Sequence, residues 1–97
     1  MSRLTSPITV LNAVVATGAS VAQQTGFSEV GGRVNLQVVG ITVATVALQG
    51  SVDGTTWFLV GTALTADGIV SDGSGLPYYR GNVTAWTSGT ITVKMIF

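Results

Sequence analysis

The fold class expected from the sequence is all-β: a single antiparallel β-sandwich, jelly-roll-like or immunoglobulin-like, with an extended N-terminal segment. Three observations lead there. Thr, Val and Gly dominate, while the chain has only one Glu and one Lys; β-branched side chains fit a pleated surface and lose rotamer freedom in a helix. Most apolar segments alternate with a period of two. Turn signals recur about every 8–12 residues, the spacing of sandwiches and barrels. A chain of 97 residues holds one domain, divided into residues 1–17, an N-terminal arm or first strand, and residues 18–97, the sandwich.

Taken in order, Ile8 to Ala16 is apolar on both faces, which a one-sided strand does not need. Segment 18–32 is the least regular and holds a short strand around Val21 or a loop. Arg33 to Val39 alternates, with Val34, Leu36 and Val38 inward. Ala44 to Ser51 does the same, with Val46 and Leu48 inward. Asp53-Gly54 then marks a hairpin, because Gly supplies the positive φ of a tight turn. The next strand, Thr56 to Val60, is expected to turn Trp57 and Leu59 inward. A short strand pair broken at Asp67-Gly68 fills Thr62 to Val70, and Asp72-Gly73-Ser74-Gly75 is a loop. Pro77 opens a strand over Tyr78 to Trp86 with Tyr79, Gly81, Val83 and Ala85 inward. Thr87-Ser88-Gly89 turns the chain into a last strand, Thr90 to Phe97, with Ile91, Val93, Met95 and Phe97 inward.

Charged residues make up 8% of the chain, against roughly 25% in a typical soluble domain. So weakly charged a surface is expected to be covered in part by partners. Four acids balance four bases, which leaves no electrostatic footprint for nucleic acid or anionic lipid. There is no Cys and no His, hence no disulfide framework, no thiolate metal site and none of the usual neutral-pH proton carrier. The lack of disulfides suits assembly in a reducing cytoplasm. No apolar run reaches the roughly 18 residues of a membrane span, and the N-terminal stretch, broken by Thr9 and Asn12, makes a poor signal peptide.

The sharpest local motif is Ser51-Val52-Asp53-Gly54-Thr55-Thr56-Trp57. It resembles a shortened Asp-box, the Ser-x-Asp-x-Gly-x-Thr-Trp hairpin of sialidase propellers, with one residue missing between Asp and Gly. In that family the motif is structural. Here Asp53 and Gly54 are expected to build the turn and Trp57 to fill the core. A glycosidase needs two carboxylates facing each other across a sugar, whereas Asp53, Asp67 and Asp72 all stand beside Gly in turns. Calcium suits loop carboxylates, but the dense D-x-[DN]-x-[DN]-G pattern is absent. Asp72-Gly73-Ser74-Gly75 lacks the Lys-Ser/Thr and the helix of a phosphate loop. Asn82-Val83-Thr84 matches a glycosylation sequon, a match common by chance. No catalytic residue, metal site or cofactor is expected, and the chain is read as a non-enzyme.

Three stretches carry a family resemblance: Val46-Ala-Leu-Gln-Gly-Ser-Val-Asp-Gly-Thr-Thr-Trp57, Pro77-Tyr-Tyr-Arg-Gly-Asn-Val-Thr84 and Thr87-Ser-Gly-Thr-Ile-Thr-Val93. They resemble small β-sandwich virion proteins of tailed bacteriophages, which include capsid cement (decoration) proteins and modules of tail fibres. The resemblance covers the C-terminal half. It implies a structural virion protein, a homo-oligomer that stabilises the phage head by binding the major capsid protein or other virion subunits across their contacts. Its place would be the virion, assembled in the host cytoplasm.

The residues point the same way. By alternation Phe58, Val60, Tyr78, Trp86 and Ile96 face outward, and outward aromatics among few charges are typical of protein interfaces. With Leu11 and Val15 of the arm they form the expected partner-contact set. Segment 2–16 is expected to extend onto a neighbouring subunit, adding a strand to its sheet. The competing reading is a carbohydrate- or receptor-binding module of a phage tail or fibre, which needs Trp86 or Tyr78 beside polar groups on one exposed patch.

Overall fold

The computed structural model describes residues 7–25 and 32–97. Among these residues there is no helix. Seven strands form one open antiparallel sheet: β1 (Ile8–Val14), β2 (Gly18–Ala19), β3 (Gln23–Gln24), β4 (Val34–Ser51), β5 (Phe58–Leu59), β6 (Gly68–Asp72) and β7 (Tyr78–Ile96). The order is β1-β7-β4-β5. β2 and β3 pair with the early part of β7, and β6 pairs with the early part of β4.

Two long strands organise the molecule. β4 and β7 pair antiparallel from Asn35↔Ile96 to Ser51↔Tyr78. Alternation and turn residues predict two strands in place of each, with a break after Val39 and a turn at Thr87-Ser88-Gly89. Both strands instead run through. A straight strand of 18 residues would span about 60 Å at ~3.3 Å per residue, yet the longest dimension is 39 Å, so the ribbon must bend. The register shifts fall at Val39/Ile41, Ile41/Val43, Val43/Ala44 and Thr45/Val46. Gly40 (φ +91°) and Gly89 (φ +124°) stand in this region.

The bend brings the two halves of the inner face together. A Cβ on Gly81 would lie 3.2 Å from Val93 Cγ1 and 3.5 Å from Leu36 Cδ1, so β7 meets itself twelve residues on. The core is the alternating set read from the sequence: Val34, Leu36, Val38, Val46, Leu48, Tyr79, Val83, Ile91, Val93 and Met95 are all fully or nearly fully buried. Burying each such side chain contributes about 1.5–3 kcal/mol.

Bulges correct the alternation in two places. In β1 the register shifts between Thr9 and Leu11 and again between Leu11 and Val14, and Ala13 has φ +52°. Each extra residue switches which face the next side chain meets. Ile8, Val10, Leu11 and Val14 therefore all pack on the core, while Thr9, Asn12 and Ala13 stay exposed. The apolarity of both faces thus belongs to a bulged strand, and Ile8–Val14 is the first strand of its own sheet. Residues 1–6 lie outside the described residues. In β7, Thr45 pairs with Ala85 but Val46 with Val83, leaving Thr84 as the extra residue. Past it the parity flips, so Ala85 is exposed and Trp86 packs on the core.

The short strand after the hairpin has the opposite parity to the one expected. Leu59 pairs with Gln49 and is exposed, while Val60 donates its N–H to the Leu48 carbonyl and packs on the core. Between 18 and 25, Val21 lies in a link exposed between β2 and β3. Residues 26–31, which include Glu29, lie outside the described residues.

Candidate functional site

The hairpin at Asp53 follows from local hydrogen bonding. Ser51 is buried and its hydroxyl donates to Asp53 Oδ1 at 2.9 Å while accepting from the N–H groups of Asp53 and Gly54. Asp53 Oδ1 also accepts from the N–H groups of Thr55 (2.8 Å) and Thr56 (2.9 Å). These bonds, Thr56 first and then Thr55 and Ser51, hold the Asp53 carboxyl below its usual value of 3.8. Gly54 takes φ +78°, as the turn requires. Asp53 and Gly54 are therefore turn residues.

The other aspartates are also used locally. Asp67 accepts from the Ile41 N–H at 2.8 Å, fixing the β5–β6 connection to the bend. Asp72 accepts from Ser74 and from the buried Tyr79 hydroxyl at 2.6 Å. Each of the three has an architectural task, and no group of three or more His, Cys, Asp or Glu side chains converges among the described residues.

The hairpin creates an apolar groove of about 200 Å³, lined by Val52, Phe58, Val60, Leu76 and the turn residues. Its origin is Gly50, which pairs with Phe58. The space a side chain at Gly50 would fill is taken by Leu76 Cδ1 and the Tyr79 ring. Phe58 shares the face of Val60 but finds that floor occupied, and stays 67% exposed. Val52, at the turn, is 75% exposed.

Trp57 departs from its expected place in the core. It is half-buried, with the Arg80 guanidinium 4.4 Å from its ring centroid. Arg80 Nε donates to Gln49 Oε1 at 2.8 Å, and Asn82 Nδ2 donates to the same oxygen at 3.3 Å. Leu59 lies on the neighbouring strand opposite Gln49.

The remaining members of the expected contact set are dispersed. Ile96 is half-buried and lines a second, shallow groove of about 370 Å³ with Pro7, Asn35, Gln37, Ile69 and Lys94. Tyr78 is half-buried, its ring about 3.5 Å from where a Gly54 Cβ would stand. Trp86 packs on the core at the bend and donates its indole N–H to the Gly89 carbonyl at 3.0 Å. Leu11 is held in β1, and Val15 is exposed just beyond it. Only Phe58 and Val60 come together in one groove. Val52, Leu76, Leu59 and Ile69 are surface or groove residues that the alternation did not single out. Ile69 was legible, since it precedes inward Val70; Val52 was hidden by its place in the turn.

No family model, curated protein or solved structure matches the chain.

Proposed function

We propose that the chain is a non-enzymatic structural subunit of a virion, a cement protein of a tailed-phage head that binds the major capsid protein or other virion subunits across their contacts. Its bent sheet would then work as a small sandwich whose two halves are the layers, and its place would be the virion, assembled in the host cytoplasm. The observation that carries the reading is the apolar groove at the Asp53 hairpin. Phe58 and Val52 stand exposed beside Val60 and Leu76 on a turn whose one carboxylate is tied down through Oδ1 by Ser51, Thr55 and Thr56. An exposed aromatic above an apolar floor, with few charges near, has the make-up of an interface centre. The family resemblance supplies the capsid as the partner. Co-sedimentation of the purified chain with tailed-phage heads tests it: binding that saturates at a fixed ratio to capsid subunits supports it, and recovery in the supernatant at all ratios refutes it.

A second reading rests on Trp57. An aromatic ring beside Gln49, Arg80 and Asn82 on one face is the residue mix of a carbohydrate site, in place of the Trp86 and Tyr78 expected for it. A glycan array separates the two readings: a glycan bound through Trp57, with no affinity for heads, favours a tail or fibre module.

A further inference from the structure

β6 is the longest regular open edge of the sheet among the described residues. Its five residues pair with β4 in unbroken register from Val34↔Asp72 to Val38↔Gly68. Among the described residues, none of the backbone hydrogen bonds outside the ladders involves them. Gly61 comes near, with the Ser71 carbonyl 3.4 Å from where its Cβ would stand, but it donates no backbone hydrogen bond to the strand. In such an edge, alternate N–H and C=O groups point away from the only neighbouring strand, and they pair with another strand unless something blocks them.

The opposite edge is blocked. β1 carries two register shifts and a left-handed residue at Ala13, and β2 and β3 have two residues each. β6 has none of these devices. It contains no Pro, no Lys and no bulge, and its one charge, Asp72, stands at the end and is engaged by Ser74 and Tyr79. Ile69 lies next to the centre of the strand on the outer face and is 63% exposed.

We infer that β6 pairs antiparallel with β6 of a second copy, joining two sheets across a two-fold axis. The inference deepens the reading of the chain as an oligomeric virion subunit and rests on it. A two-fold axis sets the strand against an identical one with the same alternation, so Val70 stays inward and Ile69 outward in both copies. The two Asp72 side chains fall at opposite ends of the ladder, and no like charges meet. The chain's net charge is zero, so two copies approach without long-range repulsion. Ile69 also lines the larger groove with Gln37 and Lys94. Pairing at β6 places the two grooves side by side and extends the contact beyond the backbone ladder.

The test uses the full chain in analytical ultracentrifugation over a wide concentration range. Because the chain has no Cys, single thiols at Ile69→Cys and, on the blocked edge, Thr9→Cys report proximity through a short bis-maleimide. The expected result is a reversible dimer, cross-linked through Ile69→Cys and not through Thr9→Cys. Both Ile69→Lys and Ser71→Lys should convert it to monomer with the folded circular-dichroism spectrum retained. A monomer at every concentration overturns the inference, as does an oligomer that survives both Lys variants or cross-links only through Thr9→Cys. Binding to phage heads is scored on the same samples. A monomer that still binds heads removes the dimer and leaves the virion reading; a dimer that ignores heads does the reverse.

Discussion

Gly40 and Gly89 lie close together at the bend of the β4–β7 ribbon, and backbone of the opposite strand fills the space a side chain on either would need. A Cβ on Gly89 would stand 2.5 Å from the Gly40 carbonyl oxygen and 2.9 Å from the Thr42 nitrogen, and one on Gly40 would collide with the Thr90 carbonyl. Both have left-handed φ values. Backbone against backbone has no flexible atom that can yield. Gly40→Ala and Gly89→Ala should each cost about 3 kcal/mol or more, measured by urea unfolding. Gly68→Ala, where no atom comes closer than 3.7 Å and φ is not positive, should stay close to the parent in stability.

The Asp53 turn gives a pH prediction. Its carboxyl is held below 3.8 in the folded chain by the amides of Thr56 and Thr55 and by Ser51. A depressed folded value means the contribution is present above the unfolded value and is lost as pH falls through the folded one. Thermal stability should therefore fall below about pH 4 in the parent. Asp53→Asn keeps an acceptor for the two amides but cannot titrate, so its acid dependence should be shallower.

Tyr79 titrates in the opposite range. Burial, and then its hydrogen bond to Asp72, push the phenol up to about 12. Its contribution is full below the usual value of 10 and is lost as pH rises from about 10 to 12. The hydroxyl also accepts from the Leu76 N–H at 3.1 Å. Tyr79→Phe leaves both partners without it and should cost about 1–3 kcal/mol at neutral pH, while flattening the loss of stability in alkali.

The Arg80–Trp57 contact is expected to be modest. A double-mutant cycle with Arg80→Met and Trp57→Leu should give a coupling of about 0.5–1 kcal/mol. Additive single effects would mean that Gln49, not the ring, holds the guanidinium.

The inner face of the ribbon was legible because a period of two needs no knowledge of partners: Val34, Leu36 and Val38, and again Ile91, Val93 and Met95, follow from their spacing. The bend was not legible. Gly40 and Gly89 each look like a break or a turn, and only their opposition across two paired strands shows that the chain runs through. Parity failed wherever a bulge inserted a residue, at Leu11 and at Trp86, since a bulge depends on the partner strand's register. Alternation over Thr56 to Val60 places Trp57 in the core with Leu59, yet the strand takes the opposite parity, and Arg80 and Gln49 from two neighbouring strands give Trp57 a place on the outer face. The Asp53 turn was legible because its hydrogen bonds lie within six residues. The groove over Leu76 was not, because it depends on Gly50 meeting a residue 26 positions on.

We propose that the chain meets a virion through the exposed groove at the Asp53 hairpin. The most direct measurement is co-sedimentation with tailed-phage heads of the parent and of a Val52→Ser/Phe58→Ser double variant. Both side chains are largely exposed, so the variant should unfold at the parent's urea midpoint. The parent should bind saturably and the variant at least tenfold more weakly. Equal binding by the two, or no binding by either, would contradict the proposal.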